Sequence, residues 1–466
     1  PEKLHSLSGK LEILKVFDTN GKLEQFLDRK NWQSATTGKM HRVVHVGPYF
    51  DGKPLLAFNH PDDIKKLLNI KHYPKLPLTY EEIKELLGDG LVTSSGEVWR
   101  RQHAMIAPAF RSDQLQTMSQ TMSDVAKEMI DEINAKQQDK KQGTIISVSD
   151  YFSKITNQVI VRCAFNKRID EKRLATEWKR LNAAFNYYFI THFLFTKPIN
   201  ALFPFPHNRT MKKSKAIINE EIEKCIRQTQ QALIDDPTLA KGKDLITTLI
   251  TSKDKQGKGM SYEHIVAECT TFLFAGSDTT SATCAWCCYF MAKHPHFQRQ
   301  MQQEISDVMG DDIFSLSHNN VSKLVFVNAF IRETLRLCGP VPMVERLIPT
   351  DEEIGGVQVK AGTYAWLMFS NASCHPDFWK NAHTFDPNRW IEKPEKERYP
   401  ASFTPFSLGT RACIGKKFAL TEAVILIATL IAHFDVKPHS DSQLNYVIEG
   451  TMKPIGLNCQ FVKRTN

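Results

Sequence analysis

Near its C-terminus the chain reads F-S-L-G-T-R-A-C-I-G, Phe406 to Gly415, and an amphipathic pattern follows at once, so Cys413 stands in a loop entering a helix. A sulfur there feels the positive end of the helix dipole and nearby amide donors, both of which favour thiolate over thiol. Gly409 and Gly415 would let the backbone approach a bulky planar group, and Arg411 could pair with an anion on it. An isolated cysteine is more often an inert core residue; the flanking Phe406, Gly409, Arg411 and Gly415 argue against that here. A second place is A-G-S-D-T-T, Ala275 to Thr280, which sets a carboxylate and two hydroxyls where a buried helix would carry Leu or Val. Glu333 and Arg336 in E-T-L-R share a helix face and suit an ion-pair network. Trp99 and His103 in W-R-R-Q-H also share a face, which alone reads as a surface aromatic beside a neutral imidazole.

The elements that must hold these groups are mostly helices. Apolar residues recur at helical spacing over Ser112 to Ile133, Ser214 to Ile234, Tyr262 to Ala292, Pro295 to Met309, Lys323 to Cys338 and Lys416 to His433. The third of these, at 1.5 Å per residue, is ~46 Å long and apolar nearly all round its middle, so it must run through a core. Strand-like runs are fewer: Arg42 to Val46, Pro54 to Phe58, Glu353 to Val359 and Tyr364 to Phe369. The expectation is a small sheet beside a large helical mass. No fixed repeat is visible and the polar stretches, such as Gln137 to Gly143 and Ser252 to Gly259, are short enough for surface loops, so one domain over 1–466 is expected.

Composition sets the outer bounds. With 42% hydrophobic and 24% charged residues in 466, the chain has a large core and is neither disordered nor collagenous. The net charge of +9 is mild; it suits an acidic partner protein or anionic headgroups and is too diffuse for nucleic acid. Ten irregularly spaced cysteines do not form a secreted disulfide framework and point to a reducing compartment. The longest clean apolar run, about Ala423 to Ala432, is well short of a membrane span, although a chain that begins at Pro1 is expected to have lost a targeting or anchoring segment.

The Phe406–Gly415 segment resembles the haem-binding loop of the cytochrome P450 family, F-x-x-G-x-R-x-C-x-G, at every fixed position. E-T-L-R is similar to the family's E-x-x-R, and Phe385-Asp386-Pro387-Asn388-Arg389 to its F-x-P-x-R. The resemblance covers essentially the whole chain, although Ser373-Cys374 replace a His-Arg often found there. It implies a mainly α fold with a smaller β region and a long central helix over the haem. It implies haem b with Cys413 as the axial thiolate, held in a loop with Phe406, Gly409, Arg411 and Gly415. Trp99, His103 and Arg346 would donate to the propionates, with His103 departing from the more frequent Arg. Glu333, Arg336 and Arg389 would form a structural clasp. Asp278 and Thr279 would relay protons to bound oxygen, with Thr280 secondary and Gly276 opening the helix for dioxygen. The opposing possibility is that Thr279 merely bonds back to a carbonyl of its own helix.

By position relative to these motifs the substrate pocket draws on Lys75 to Leu91, Phe272, Ala275, Gly276, Val341, Val344, Thr451 and Met452, apolar enough for a fatty acid, sterol, terpenoid or xenobiotic. The aromatic stretch Phe185 to Phe195 and the following L-F-P-F-P resemble a mobile cover that could dip into a bilayer surface. No flavin domain follows the Cys loop, so NADPH acts only through a separate flavoprotein, of the NADPH–cytochrome P450 reductase type. Lys416, Lys417, Arg100 and Arg101 could form its basic docking face. The expected protein is a monomeric monooxygenase on the cytosolic face of the endoplasmic reticulum, with a soluble cytoplasmic protein as the alternative. Its rivals are a haem-thiolate isomerase or dehydratase acting on a peroxide and a haem-based sensor, both disfavoured by Asp278-Thr279. A zinc site at Cys284, Cys287, Cys288 and His294 is rejected, since these cysteines share a helix face as small core fillers.

Overall fold

The computed structural model describes residues 41–48, 51–69, 73–136, 143–166, 169–194, 205–241, 244–310, 312–442 and 444–464. The chain divides into two compact units, one built from residues 1–76, 122–153 and 279–466, the other from 77–121 and 154–278. The division falls inside the longest helix, Tyr262–Lys293, between Asp278 and Thr279.

The first unit holds the described sheets. Its largest runs Val43–Pro48, Pro54–Phe58, Tyr364–Leu367, Val344–Leu347, with the middle pair parallel and the outer pairs antiparallel. The two central strands, PLLAF and YAWL, are buried at almost every position, so they are continuous apolar runs and not alternating ones. Phe58, Leu367 and Ala365 pack there with Ile64, Leu67 and Leu68 of the helix Pro61–Asn69. The run expected as one strand, Glu353 to Val359, is a hairpin of Glu352–Ile354 and Val357–Val359. Gly355 and Gly356 between them take φ of 66° and 79°, which only glycine adopts without strain. Phe369, expected to end a strand, instead starts a short helix, Phe369–Ala372. Six further strands, Thr144–Ser147, Val344–Leu347, Phe434–Pro438, Asn445–Glu449, Thr451–Ile455 and Asn458–Lys463, were not evident from the sequence pattern.

Helices Pro295–Met309, Val325–Cys338 and Lys416–His433 complete this unit. The second of these starts two residues later than its pattern suggests, because Val321–Lys323 is a tighter 3₁₀ turn. Lys416–His433 is buried from Thr421 to Ile431, which explains why its sequence is apolar all round.

The second unit is helical. Glu171–Leu194 and Pro206–Asp235 are clasped by Ser214, whose hydroxyl donates to Glu177 Oε2 at 2.7 Å, and by the Arg173–Glu221 ion pair at 2.5 Å. The helix Leu245–Thr251 is capped by Asp244, which accepts from the Thr247 N–H at 2.8 Å. Of the expected aromatic cover, the side chains from Asn186 onward and residues 195–204 lie outside the described residues. No helix among the described residues is long and apolar enough to cross a membrane.

Candidate active site

Cys413 lies between a 3₁₀ turn, Gly409–Arg411, and the helix Lys416–His433. Its backbone N–H donates to the Phe406 carbonyl at 2.8 Å, closing the loop into a hairpin-like bend. Gly409 has φ of 70°, and a Cβ there would stand 2.7 Å from the Leu68 carbonyl and run into Asn69 Oδ1. The glycine therefore lets the loop seat against the end of the Pro61–Asn69 helix, a packing role beyond the one read from the sequence. Gly415 has an ordinary φ of −85° and precedes the helix. Its N–H donates toward the Cys413 sulfur. The thiol is solvent-accessible, yet the protein mass round it raises its pKa, while the Gly415 N–H and the Lys416 ammonium pull it down. An accessible but desolvated sulfur faces a recess and not open water.

The same loop gathers positive charge. Arg346, buried on the edge strand Val344–Leu347, donates to the Glu345 carbonyl at 2.7 Å. The Leu347 N–H donates to the Pro74 carbonyl at 2.9 Å, which brings Lys75 alongside that strand. Burial, then the charges of Arg411 and Arg346, push the Lys75 ammonium down to about 6. Lys75 entered the sequence reading only as the start of a pocket stretch; its place beside two arginines comes from strand-edge pairing that local spacing does not encode. An accessible sulfur with two arginines and a buried amine beside its loop is a donor set that fits haem, whose iron takes a thiolate and whose propionates pair with the guanidinium groups and would recharge Lys75.

The expected clasp is a closed network. Glu333 Oε1 accepts from Arg336 Nη2 at 2.8 Å, Arg389 Nε at 2.9 Å and the Asp386 N–H at 3.0 Å. Its Oε2 accepts from Arg336 Nε at 2.9 Å and Trp390 Nε1 at 2.9 Å. Arg336 Nη1 donates to the Ser373 carbonyl at 3.0 Å and lies 3.8 Å from Cys374 Sγ, so the unusual Ser373-Cys374 pair is part of this network. Burial acts to raise the Glu333 pKa, but Arg336 and Arg389 win and hold it below the usual carboxylate range. Arg398 adds a layer, its guanidinium 4.5 Å from the ring centres of both Trp379 and Trp390. Trp379, Trp390 and Arg398 were missed in the sequence, where nothing marks them as partners of Glu333.

In the long helix, Asp278 and Thr280 are buried while Phe274, Ala275, Gly276 and Thr279 keep accessible surface, a window in a stretch otherwise buried from Ala267 to Cys288. Gly276 departs from expectation: a Cβ on it would stand 2.9 Å from Ile160 Cδ1, so its missing side chain admits a neighbouring helix. Trp99 and His103 do share a face, with ring centres 4.8 Å apart. Of the expected pocket residues, Val341 and Val344 are half-buried, whereas Phe272, Thr451 and Met452 are closed off. Met452 is tied down by its N–H to the Pro340 carbonyl at 2.7 Å and by Trp286 Nε1 to its own carbonyl at 3.3 Å.

The basic docking face shrinks on inspection. Arg101 donates to Asp254 at 2.6 Å and to the Gly259 carbonyl at 2.6 Å, clasping a loop in its own unit, and Lys416 pairs with Glu395 at 3.2 Å. Arg100 pairs with Glu97 at 2.7 Å, and Lys417 is exposed. The cysteines Cys284, Cys287 and Cys288 are buried thiols; Cys287 lies 3.6 Å from Thr334 Oγ1, and burial pushes it up to about 12.

A cysteine loop entering a helix beside a cationic strand edge is a setting that fits a haem-thiolate enzyme. The family profile described as Cytochrome P450 matches residues 22–458, and the chain belongs to that family. Among curated relatives it is 28% identical over 457 residues to Cytochrome P450 4F11 of Homo sapiens, covering 92% of this chain and 85% of the relative. It is 29% identical over 419 residues to an ultra-long-chain fatty acid omega-hydroxylase of Homo sapiens, covering 85% and 76%. Among solved structures it is similar to the heme domain of cytochrome P450DA, with a TM-score of 0.78, 25% identity and 89% of each chain covered. The protein is thus a haem-dependent monooxygenase of lipophilic substrates that uses O2 and electrons from a redox partner.

Proposed function

We propose that this chain hydroxylates fatty acids, with Cys413 as the haem ligand, Asp278 and Thr279 as the proton path, and NADPH acting through a separate flavoprotein reductase. The observation that carries the assignment of the ligand is the accessible Cys413 sulfur under the Gly415 N–H, beside the Lys75 amine and the Arg346 and Arg411 guanidinium groups. The fatty-acid class rests on the relative named as a fatty acid omega-hydroxylase and on the accessible apolar residues Ala275, Val341 and Val344.

Haem, when bound, supplies dioxygen activation and oxygen-atom transfer. The protein supplies the rest. The Gly415 N–H and the Lys416 ammonium favour the thiolate against the burial that raises the thiol's pKa, and metal ligation would complete the deprotonation. Lys75, Arg346 and Arg411 hold the two propionates, with Trp99 and His103 as further donors. Asp278, buried, passes a proton to Thr279 Oγ1 next to it in the chain, and the accessible Thr279 hydroxyl presents it in the window. The protein acts as a monomer; its mild positive excess suits an acidic flavoprotein and anionic headgroups, and the cytosolic face of the endoplasmic reticulum is where this reading places it.

The test of the ligand is the carbon monoxide difference spectrum of the reduced protein: a Soret band near ~450 nm is expected and must vanish in C413A, and its absence in the unaltered chain would overturn the proposal. The test of the reaction is product mass with a fatty-acid panel, NADPH and a reductase. A gain of one oxygen atom is expected; turnover of sterols or terpenoids alone would overturn the fatty-acid class. In T279A the Soret band should persist while electrons drain to hydrogen peroxide, and tight coupling in that variant would remove Thr279 from the path.

A further inference from the structure

Glu268 is fully buried on the long helix, and no role assigned above uses it. At 100° per residue, Glu268, Phe272, Ala275 and Thr279 fall within one narrow stripe, and eleven residues at 1.5 Å put Glu268 ~16 Å along the helix from Thr279. Its Oε2 accepts from the backbone N–H of Leu91 at 3.1 Å. That N–H belongs to a turn that is cross-linked within itself: Thr93 Oγ1 donates to the Gly88 carbonyl at 2.6 Å, the Ser94 N–H to the Gly90 carbonyl at 2.8 Å, and Gln102 Nε2 to the Asp89 carbonyl at 3.0 Å. Two glycines let it lie flat on the helix. A Cβ on Gly88 would meet Ala267 Cβ at 2.9 Å; one on Gly90 would run into Thr271 Oγ1 and stand 3.2 Å from Glu268 Oε2.

The closed contact is under-satisfied. Glu268 Oε1 and Thr271 Oγ1 are buried without a hydrogen-bond partner among the described residues. Each such atom costs about 1–3 kcal/mol, which is recovered when the turn lifts and water enters. The turn is therefore rigid in itself and weakly held.

We infer that Glu268 is a positioning residue: its side chain is a pH-dependent latch that holds the 88–94 turn down on the long helix. Burial pushes the Glu268 carboxyl up to about 8, against the Leu91 N–H, which lowers it, and with Asp89, which raises it. Asp89 is itself paired with Lys84 at 3.1 Å, and His264 sits one turn earlier on the same helix face. The latch is thus a neutral acid at pH 7. Above pH 8 its charge is relieved by admitting water, and the turn loosens.

The test follows amide exchange of Leu91 in haem-loaded protein across pH, corrected for intrinsic exchange. In E268A that exchange should speed up at least tenfold at pH 7. G90A, which pushes the turn off from the other side, should do the same should E268A fail to fold. In the parent the turn should loosen above pH 8, whereas E268Q, which keeps volume and acceptor, should match the parent at pH 7 but lack that loosening. Unchanged Leu91 exchange in a folded E268A or G90A overturns the latch, as does a parent-like pH profile in E268Q. Failure of the fatty-acid class would show in the product panel and leave the exchange result intact.

Discussion

Two charged clusters in the same unit are built on opposite plans. Around Glu333 one carboxylate is shared by two guanidinium groups, and the remaining donors of Arg336 and Arg389 end on carbonyls that include those of Ser373, Lys380 and Thr384. Beside the Cys413 loop, the principal charges acting on Lys75 are the like charges of Arg411 and Arg346. The first cluster brings its own counter-charge; the second concentrates one sign. A buried network that closes on itself holds a fold, whereas a desolvated excess of one sign is what a bound dianion requires.

The comparison can be broken most forcefully at Glu333. E333Q leaves two guanidinium groups buried without their charge partner and should cost about 3–5 kcal/mol in denaturant unfolding, with loss of haem-loaded yield. A change below ~1 kcal/mol would show that the cluster is not what holds this region. Glu333 and Glu268 also predict opposite pH behaviour. The depressed Glu333 contributes stability at neutral pH that is lost only as acid takes pH below the ordinary carboxylate range. Glu268, raised to about 8, is the reverse: its contribution is full below the ordinary value near 4.5 and fades as pH climbs to about 8, by at most ~1.4 kcal/mol per unit. Unfolding of E268Q measured from pH 5 to 9 should be flatter than the parent by that slope.

On the other side, K75M removes an amine that burial and two arginines hold mostly neutral until an anion binds beside it. It should leave the stability of haem-free protein unchanged or slightly raised, yet speed haem transfer to an apo-globin acceptor about tenfold, the worth of one charge-assisted hydrogen bond. Equal transfer rates would place the propionates elsewhere. The smallest effects belong at the surface. K417E should slow reduction by a flavoprotein a few-fold at low salt and little at high salt. R101E should lower stability instead, since Arg101 is spent on Asp254 and the Gly259 carbonyl.

How far the sequence carried depended on the range of the interaction. Pro295–Met309 matches its periodic segment residue for residue because local amphipathicity and burial agree there, and Lys416–His433 matches because a continuous apolar run between a glycine and a strand fits a fully buried helix. Glu333, Arg336 and Arg389 form an ion-pair network, and Cys413 lies in a loop entering a helix, although burial raises its pKa where the sequence led to an expectation of thiolate. The strands after Phe434 were missed because their partners are remote: Asn458–Lys463 pairs with both Phe434–Pro438 and Thr144–Ser147, and Pro454 interrupts the neighbouring hairpin strand. Lys75 and Arg398 escaped for the same reason, since each acquires its role only from chain segments far away in sequence. Gly276 shows the converse, a motif residue whose local setting is a packing contact with Ile160.

The seat of Gly409 on Leu68 and Asn69 has an upstream consequence. Since nothing larger than hydrogen fits at that contact, the Cys413 loop takes its coordinates from the helix Pro61–Asn69. With Cys413 as the proposed haem ligand, a lesion at Leu67 or Leu68 would surface as a spectroscopic fault at the iron, well before activity assays pointed anywhere near it.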